Sequence, residues 1–257
     1  MTVPHTLSDK VAVIVGGSGG IGAATARLFA EGGAKVVITH RPDKHGKTVK
    51  ADAARAIVAS LAGSGHAAFP ADVADSATLA ALRDAVAECY GRCDILINSA
   101  GFTKAVPHDD LVALDDELID QVFAVNWRGQ FATIRVFAPL LKASGDGLIV
   151  SVSSISGTTG LGSSIAYGAA KAGIDVMTKS LARALAPEVR VLGVSPGAVD
   201  TSFVPGRGAE FNARAAATTP LKRVAQPEDV AAAILACATH LIFSTGSNVV
   251  VDGGRSL

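Results

Sequence analysis

The stretch Val11-Ala12-Val13-Ile14-Val15-Gly16-Gly17-Ser18-Gly19-Gly20-Ile21-Gly22 decides the fold class of this chain. Its first five residues are apolar, which is typical of a β-strand buried on both faces of a parallel sheet. The glycines follow directly, and Gly22 begins an Ala-rich segment with helical periodicity that runs to Glu31. The stretch therefore predicts a strand, a glycine loop and a helix whose N-terminal amides attract phosphate.

The same alternation continues along the chain. Further apolar runs predict strands at 35–39, 67–69, 94–97, 148–152, 189–194 and 248–251, and Ala-rich periodic segments predict helices at 49–61, 78–90, 117–143 and 166–185. Strands that alternate with helices form βαβ units with right-handed crossovers. The chain is therefore predicted to be α/β, with a Rossmann-type doubly wound parallel sheet of about seven strands. No repeat or linker divides it, so we expect a single domain over 1–257.

Composition excludes several classes of function. Lys plus Arg and Asp plus Glu are 23 each in the 257 residues, so no basic surface suggests a nucleic-acid or anionic-lipid partner. No segment approaches the ~18 apolar residues of a membrane span, and residues 1–9 do not resemble a targeting signal. Cys89, Cys93 and Cys237 fit neither a disulfide framework nor a zinc site, and the six histidines form no ligand-spaced cluster. We expect a cytoplasmic protein without a catalytic metal.

Tyr167 and Lys171 stand four residues apart in a predicted helix, and Ser154 lies thirteen residues upstream of Tyr167. The four-residue interval puts the phenol and the ammonium on one helix face. A tyrosine titrates near ~10 and needs a nearby cation to act as a base at neutral pH. The spacing is also typical of an ordinary surface pair, so the pair alone does not establish a catalytic site.

Taken in order, several segments resemble the short-chain dehydrogenase/reductase superfamily, from about Lys10 to Gly254. Gly16, Gly20 and Gly22 match the family pattern Gly-x-x-x-Gly-x-Gly. The other matching segments are Asn98-Ser99-Ala100-Gly101, Asn126, the Ser154, Tyr167 and Lys171 triplet, and Ser195-Pro196-Gly197. The resemblance implies an NAD(P)-dependent enzyme that interconverts a ketone and a secondary alcohol by hydride transfer.

The resemblance also implies the catalytic roles. Tyr167 is the general acid and base, Lys171 lowers the tyrosine pKa and holds the nicotinamide ribose, and Ser154 polarises the carbonyl. Asn126 positions a water for proton relay. Ser153 competes for the serine role, but the thirteen-residue interval to Tyr167 favours Ser154.

Nucleotide preference is expected to depend on the end of the second strand, where a carboxylate would bind a ribose diol and repel a 2′-phosphate. This chain has Thr39-His40-Arg41 there, with no carboxylate. Arginine suits phosphate, so NADP(H) is predicted over NAD(H). The alternative for Arg41 is an ordinary surface charge.

The full predicted cofactor site follows the glycine loop and the ends of successive strands. It comprises Gly16, Ser18, Gly19, Gly20, Ile21, Gly22, His40, Arg41, Asp72, Val73, Asn98, Ala100, Gly101, Tyr167, Lys171, Pro196, Gly197, Val199 and Thr201. Two positions depart from the family. Val15 replaces a threonine whose hydroxyl often braces the loop, and Val191-Leu192-Gly193 lacks an expected asparagine.

Residues 196–220 form the longest predicted irregular stretch, and the resemblance implies a substrate lid at about 198–220. The predicted substrate pocket is formed by Phe102, Thr103, Ser156, Leu161, Ser163, Ser164 and Phe203. This set carries no charge, which argues against a strongly anionic substrate group in the pocket.

Three further expectations concern function and assembly. A 3-oxoacyl thioester reductase is an alternative, although Gly145 and Glu188 stand where such reductases usually carry basic docking residues. A dinucleotide-binding regulator without turnover is a second alternative, because a fold does not fix a function. The resemblance implies pairing of subunits through the two longest helices, as a dimer or homotetramer.

Overall fold

The computed structural model describes residues 6–42 and 49–257. One seven-stranded sheet has the order β3-β2-β1-β4-β5-β6-β7, and every neighbouring pair is parallel. Its strands are β1 Val11–Val15, β2 Lys35–His40, β3 Ala67–Pro70, β4 Ile95–Asn98, β5 Gly147–Val152, β6 Val189–Pro196 and β7 Asn248–Val251. The predicted Rossmann-type sheet is confirmed.

Helices cover both faces of this sheet. They are α1 Gly20–Glu31, α2 Val49–Ser60, α3 Ser76–Tyr90, α4 Asp116–Phe123, α5 Gly129–Ala143, α6 Ser156–Thr159, α7 Ile165–Leu185, α8 Ala209–Thr218 and α9 Pro227–Thr239. Among these described helices, none has the length and hydropathy needed to cross a membrane.

Strand β1 illustrates why the strands are apolar throughout. Val11, Val13 and Val15 belong to one buried cluster, whereas Ala12 and Ile14 belong to a second cluster on the opposite face. Successive side chains of a strand point to opposite faces, so a strand between two helical layers needs apolar residues at every position.

The register aligns the carboxyl ends of the central strands. Val15 pairs with Asn98, Asn98 with Ser151, and Val152 with Val194. The sheet order reverses between β1 and β4, and ligands of doubly wound sheets bind outside the carboxyl ends at such a switch point. The predicted glycine loop, the Asn98 segment and the Ser154 segment all leave the sheet along this edge.

Two element predictions are wrong. The helix predicted over 117–143 is interrupted by a π-helical turn, Ala124–Arg128, in which the Gly129 amide donates to the Ala124 carbonyl. The stretch 196–220, predicted to be irregular, contains the ten-residue helix α8. The helical repeat of apolar residues predicts long helices. It predicts neither a single turn with i→i+5 hydrogen bonds nor a short helix with few buried residues.

Candidate active site

The glycine loop between β1 and α1 is closely packed against neighbouring segments. Gly16 has φ +83°, and a Cβ there would lie 2.6 Å from the Ala100 amide nitrogen. A Cβ on Gly22 would lie 2.3 Å from the Gly16 carbonyl oxygen, whereas a Cβ on Gly19 would meet nothing within 4 Å. Gly16 and Gly22 are therefore required by packing of the loop itself, and Gly19 faces open space.

The missing threonine before the loop has a substitute. The Thr39 hydroxyl of β2 accepts a hydrogen bond from the Gly16 amide at 3.0 Å, so β2 braces the loop that Val15 cannot brace. His40 is buried and its Nδ1 lies 3.1 Å from the Arg41 carbonyl oxygen. Arg41 is exposed at the end of β2, and no described carboxylate forms an ion pair with it.

The predicted adenosine-side residues lie at the ends of β3 and β4. Asp72 is half-buried, and its side chain accepts a hydrogen bond from the Ala74 amide at 3.0 Å. Val73 is buried against Gly129, and Asn98 is buried at the end of β4. Both side-chain polar atoms of Asn98 lack a hydrogen-bond partner among the described residues.

One cavity of about 660 Å³ brings the chemical groups together. Ser154, Tyr167 and Lys171 all line it, with Ile21 of the glycine loop. Tyr167 and Lys171 lie on α7, and the Lys171 Nζ is 5.5 Å from the centre of the Tyr167 ring. The same Nζ donates to the Val152 carbonyl at 2.7 Å. The helical spacing thus places an ammonium beside the phenol, as predicted.

The electrostatics of this pair differ from the prediction. Burial raises the pKa of Tyr167 to about 12, and the Ser154 hydroxyl and the Arg207 guanidinium offset part of that rise. Burial also lowers the pKa of Lys171 to about 8, against the attraction of Asp175. The net pKa of Tyr167 in the protein alone is therefore raised and not lowered, because desolvation of the phenol dominates; a lowering contribution from Lys171 stays a prediction. A protonated phenol at neutral pH is a proton donor.

The structure separates the two candidate serines. The Ser153 hydroxyl donates to the Asp175 carboxylate at 2.5 Å and lies 3.2 Å from the Lys171 carbonyl, so it belongs to the support behind Lys171. The Ser154 hydroxyl instead interacts with Ser156, donating to its hydroxyl at 3.0 Å and accepting from its amide at 3.1 Å. Ser154 is therefore the better placed to meet a reacting oxygen beside Tyr167.

Asn126 lies in the π-helical turn and is fully buried. Its amide nitrogen donates to the carbonyls of Phe102 at 2.7 Å and Val122 at 2.9 Å, and its side-chain oxygen accepts from the Phe102 amide at 3.2 Å. The side chain thus fixes the loop after β4. Its water-positioning role stays a prediction.

The residues predicted for the nicotinamide and substrate sides divide into two groups. Those that line the cavity are Ser156, Leu161, Ser163, Pro196, Gly197, Val199, Thr201 and Phe203. Gly101, predicted for the adenosine side, lines it as well. Phe102, Thr103 and Ser164 lie elsewhere. The Thr103 and Ser163 hydroxyls hydrogen-bond at 2.6 Å, Ser164 caps α7 by accepting from the Tyr167 amide, and Phe102 packs against two apolar clusters.

Sequence reasoning missed the charged part of the cavity wall. Arg207, from the loop before α8, and Arg255, near the C-terminus, both line the cavity. The expectation of an uncharged pocket is therefore wrong. No motif marks these arginines, and only the folding of 198–220 over the strand ends brings Arg207 to the site.

The residues present fit a dinucleotide. The N-terminus of α1 has no side-chain cap, so its first amides remain for an anionic ligand, and Gly19 leaves open space beside them. A Cβ on Gly20 would lie 3.3 Å from the Thr201 side chain, so the glycine loop adjoins the segment after β6. No group of three or more potential metal ligands occurs within residues 6–42 and 49–257.

Comparison with known proteins identifies the family. The family model adh_short_C2, described as enoyl-(acyl carrier protein) reductase, matches residues 16–256. A cis-4-hydroxycyclohexanecarboxylate dehydrogenase from Sinomonas cyclohexanicum is 39% identical over 254 residues, which cover 97% of this chain and 98% of the relative. The protein is a short-chain dehydrogenase/reductase.

Two further comparisons agree with this assignment. A candidate ketoacyl reductase of the granaticin polyketide synthase from Streptomyces violaceoruber is 38% identical to this short-chain dehydrogenase/reductase, with 96% of each chain covered. The crystal structure of a candidate short-chain dehydrogenase/reductase from Burkholderia xenovorans has a TM-score of 0.87 and 34% identity, covering 98% of this chain and 99% of that one. The protein is thus an oxidoreductase for alcohol or ketone groups, of a family that uses NAD(P).

Proposed function

We propose that this short-chain dehydrogenase/reductase interconverts a ketone and a secondary alcohol with NADP(H), and that Tyr167 moves the proton. The observation that supports this most directly is the single cavity lined by Ser154, Tyr167, Lys171 and Ile21. A proton donor, a hydroxyl that can polarise a carbonyl and the start of the dinucleotide helix thereby share one space.

The side chains have distinct roles in the proposed reaction. For ketone reduction, the protonated Tyr167 phenol donates to the developing alkoxide while the Ser154 hydroxyl hydrogen-bonds the same oxygen. For alcohol oxidation, the phenolate accepts that proton. Lys171 supplies positive charge beside the ring, and its Nζ is fixed by the Val152 carbonyl. Asp175 favours the charged state of Lys171.

The cofactor is assigned to the strand-end edge of the sheet. When bound, the nicotinamide supplies or accepts the hydride. Gly19, Gly20 and the first amides of α1 would hold the pyrophosphate, and Pro196, Gly197, Val199 and Thr201 would lie along the nicotinamide. Arg41 is proposed to bind the 2′-phosphate of NADP(H), because it is exposed at the end of β2 and no carboxylate stands beside it in Thr39-His40-Arg41.

Residues 198–220 are proposed to act as the substrate lid. Phe203 lies over the site, with its ring centre 6.0 Å from that of Tyr167. A Cβ on Gly101 would lie 3.2 Å from the Phe203 ring, so the lid also contacts the loop after β4. A substrate between these walls would be shielded from water on one side.

A 3-oxoacyl thioester reductase remains the second candidate. The ketoacyl reductase named above favours it. The description of the family model names a carrier-bound acyl substrate, but with a carbon–carbon double bond instead of a ketone. The exposed Gly145 and Glu188 argue against it, because a carrier protein with an anionic surface would find no basic contact at these two positions. Lys142 could compensate in part.

We further propose that the protein is a homo-oligomer, as a dimer or tetramer, located in the cytoplasm. Trp127 and Phe131 stack at 6.1 Å on the surface of the π-helical turn and α5, and Phe123 and Val176 are exposed on neighbouring helices. A stacked aromatic pair with further exposed apolar side chains on neighbouring helices is a candidate subunit contact. The three cysteines are unpaired, which suits a reducing compartment.

The test is the initial rate of NADPH consumption, beside NADH, over ketones, diketones, quinones, sugars and 3-oxoacyl thioesters. We expect turnover with NADPH on a free ketone. Turnover restricted to thioesters would favour the second candidate, and tight cofactor binding without turnover on any class would contradict the proposal.

A further inference from the structure

The cavity wall carries positive charge without a counter-charge. Three cationic side chains line it, namely Lys171, Arg207 and Arg255, and no aspartate or glutamate of the described residues does. Burying a cation without a partner costs free energy. An unpaired cation at a substrate site therefore points to an anionic group of the ligand as its partner.

The three cations differ in how far they are already engaged. Lys171 donates to the Val152 carbonyl. Arg255 donates from Nη1 to the Ala215 carbonyl and the Thr218 hydroxyl, both at 2.9 Å, so it ties the end of α8 to the C-terminal segment. Arg207 forms no hydrogen bond or ion pair from its side chain within the described part of the chain.

Arg207 is nevertheless held in place. Its guanidinium carbon lies 4.2 Å from the centre of the Phe211 ring, in the first turn of α8, and this stacking limits the movement of the side chain. Burial lowers the pKa of Arg207, and its charge is close enough to Tyr167 to offset part of the rise in the tyrosine pKa. An ordered, partly desolvated guanidinium therefore lies near the proton donor.

We propose that the substrate carries a carboxylate in addition to its ketone or secondary alcohol, and that Arg207 binds this carboxylate while the reacting carbon lies at Tyr167. The planar guanidinium matches a carboxylate with two parallel hydrogen bonds, and the stacked Phe211 leaves its N–H edge available. The proposal rests on the proposed function and narrows its substrate to oxo acids and hydroxy acids.

A cavity of about 660 Å³ shared with the nicotinamide end of a cofactor leaves room for a small acid. Its other walls include Val106, Phe203 and the half-buried Phe211, which would contact the carbon skeleton. Arg207 would thus bind the carboxylate, and Tyr167 with Ser154 would bind the reacting oxygen. Two fixed groups orient the substrate for reaction.

The test uses a series of cyclic and linear oxo acids, each beside its neutral primary amide. The variants are Arg207→Gln and the matched control Arg214→Gln, an exposed lid arginine on α8 that pairs with Glu210 outside the cavity. We expect the wild type to prefer the best acid over its amide by roughly 10-fold to 100-fold in kcat/KM, the range for a charge-assisted hydrogen bond. Arg207→Gln should remove this preference by lowering kcat/KM for the acid more than for the amide, and Arg214→Gln should keep it.

Calorimetric binding of the matching saturated acid to the complex with NADP⁺ provides a readout that needs no turnover. Weaker binding to Arg207→Gln alone supports the proposal, and equal binding to all three proteins, or none, overturns it. Equal rates for acid and amide in the wild type overturn it while leaving the ketone reductase function intact.

Failure of every compound in the rate assay, with the binding difference present, would instead count against the proposed reaction. A loss of NADPH affinity in Arg207→Gln with acid preference retained would assign Arg207 to the cofactor and overturn the proposal.

Discussion

Removing one oxygen atom from Tyr167 separates proton transfer from every other role of this side chain. In Tyr167→Phe the ring keeps its place, 6.0 Å from the Phe203 ring and 5.5 Å from the Lys171 Nζ. The phenol hydroxyl is lost, and with it the proton donor for the alkoxide.

The structure sets the size of the expected effect. The pKa of the phenol is about 12, well above neutral pH, so Tyr167 is protonated in the wild type and can donate. The only other titratable group of the triplet is Lys171, and its Nζ already donates to the Val152 carbonyl. We therefore expect kcat for ketone reduction to fall by roughly 10²-fold to 10⁴-fold, as for loss of a general acid.

Tyr90→Phe is the matched control, since Tyr90 is the other of the two tyrosines in the chain. Its hydroxyl donates to the Gly65 carbonyl at 2.9 Å, away from the cavity, so its loss should leave kcat unchanged and reduce stability by about 1 kcal/mol at most. Steady-state kinetics and fluorescence titration with NADPH measure both variants. Undiminished turnover of Tyr167→Phe, or a kcat loss equal to the loss of NADPH binding, would refute the assignment.

Three other expectations follow from the same site. Between pH 5 and 7, below the Lys171 pKa of about 8, kcat/KM for ketone reduction should stay flat because Tyr167 remains protonated. Alcohol oxidation should rise about tenfold per pH unit over the same interval with the phenolate fraction, and a reduction rate that falls there contradicts the raised tyrosine pKa. Asp175→Asn removes the carboxylate that raises the Lys171 pKa against the effect of burial. The alkaline loss of activity, centred near the lysine pKa of about 8, should therefore move to lower pH in a pH–rate profile. An unchanged profile would show that Asp175 does not act on Lys171. Arg41→Ala should raise KM for NADPH by roughly tenfold or more and leave KM for NADH unchanged. Arg27→Ala, at an exposed arginine of α1, is the control. Equal changes in KM for the two cofactors would show that Arg41 does not bind the 2′-phosphate.

The regular part of the fold is readable from the sequence because burial on both faces forces apolar runs. Strands β1 and β7 have the predicted bounds, and the other five differ only by small shifts at their ends. Such shifts are expected, because a hydrophobic run does not mark where hydrogen bonding to the neighbouring strand stops.

The interruption of the helix before α5 could not be read in the same way. The sequence 117–143 is helical throughout in its periodicity, and the π-helical turn occurs where the Asn126 side chain reaches the backbone of Phe102. That contact joins segments 24 residues apart, so no local pattern reports it.

The candidate site likewise has a part that the sequence predicts and a part that it does not. The shared helix face of Tyr167 and Lys171 follows from their spacing, and the family resemblance adds Ser154 and the catalytic roles. The raised pKa of Tyr167 and the presence of Arg207 depend instead on burial and on the folding of 198–220, which are properties of the assembled chain. The sequence therefore predicts which side chains form the site, whereas their protonation and the surrounding charge depend on the fold.

Transfer of deuterium tests the central claim most directly. The protein should be incubated with NADPH that carries deuterium at C4 on either face, together with the best ketone from the panel, and the product analysed by mass spectrometry. We expect one of the two labelled cofactors to deliver deuterium to the carbinol carbon of the alcohol. An alcohol without deuterium from both cofactors, or no alcohol at all, would contradict hydride transfer to a carbonyl at this site.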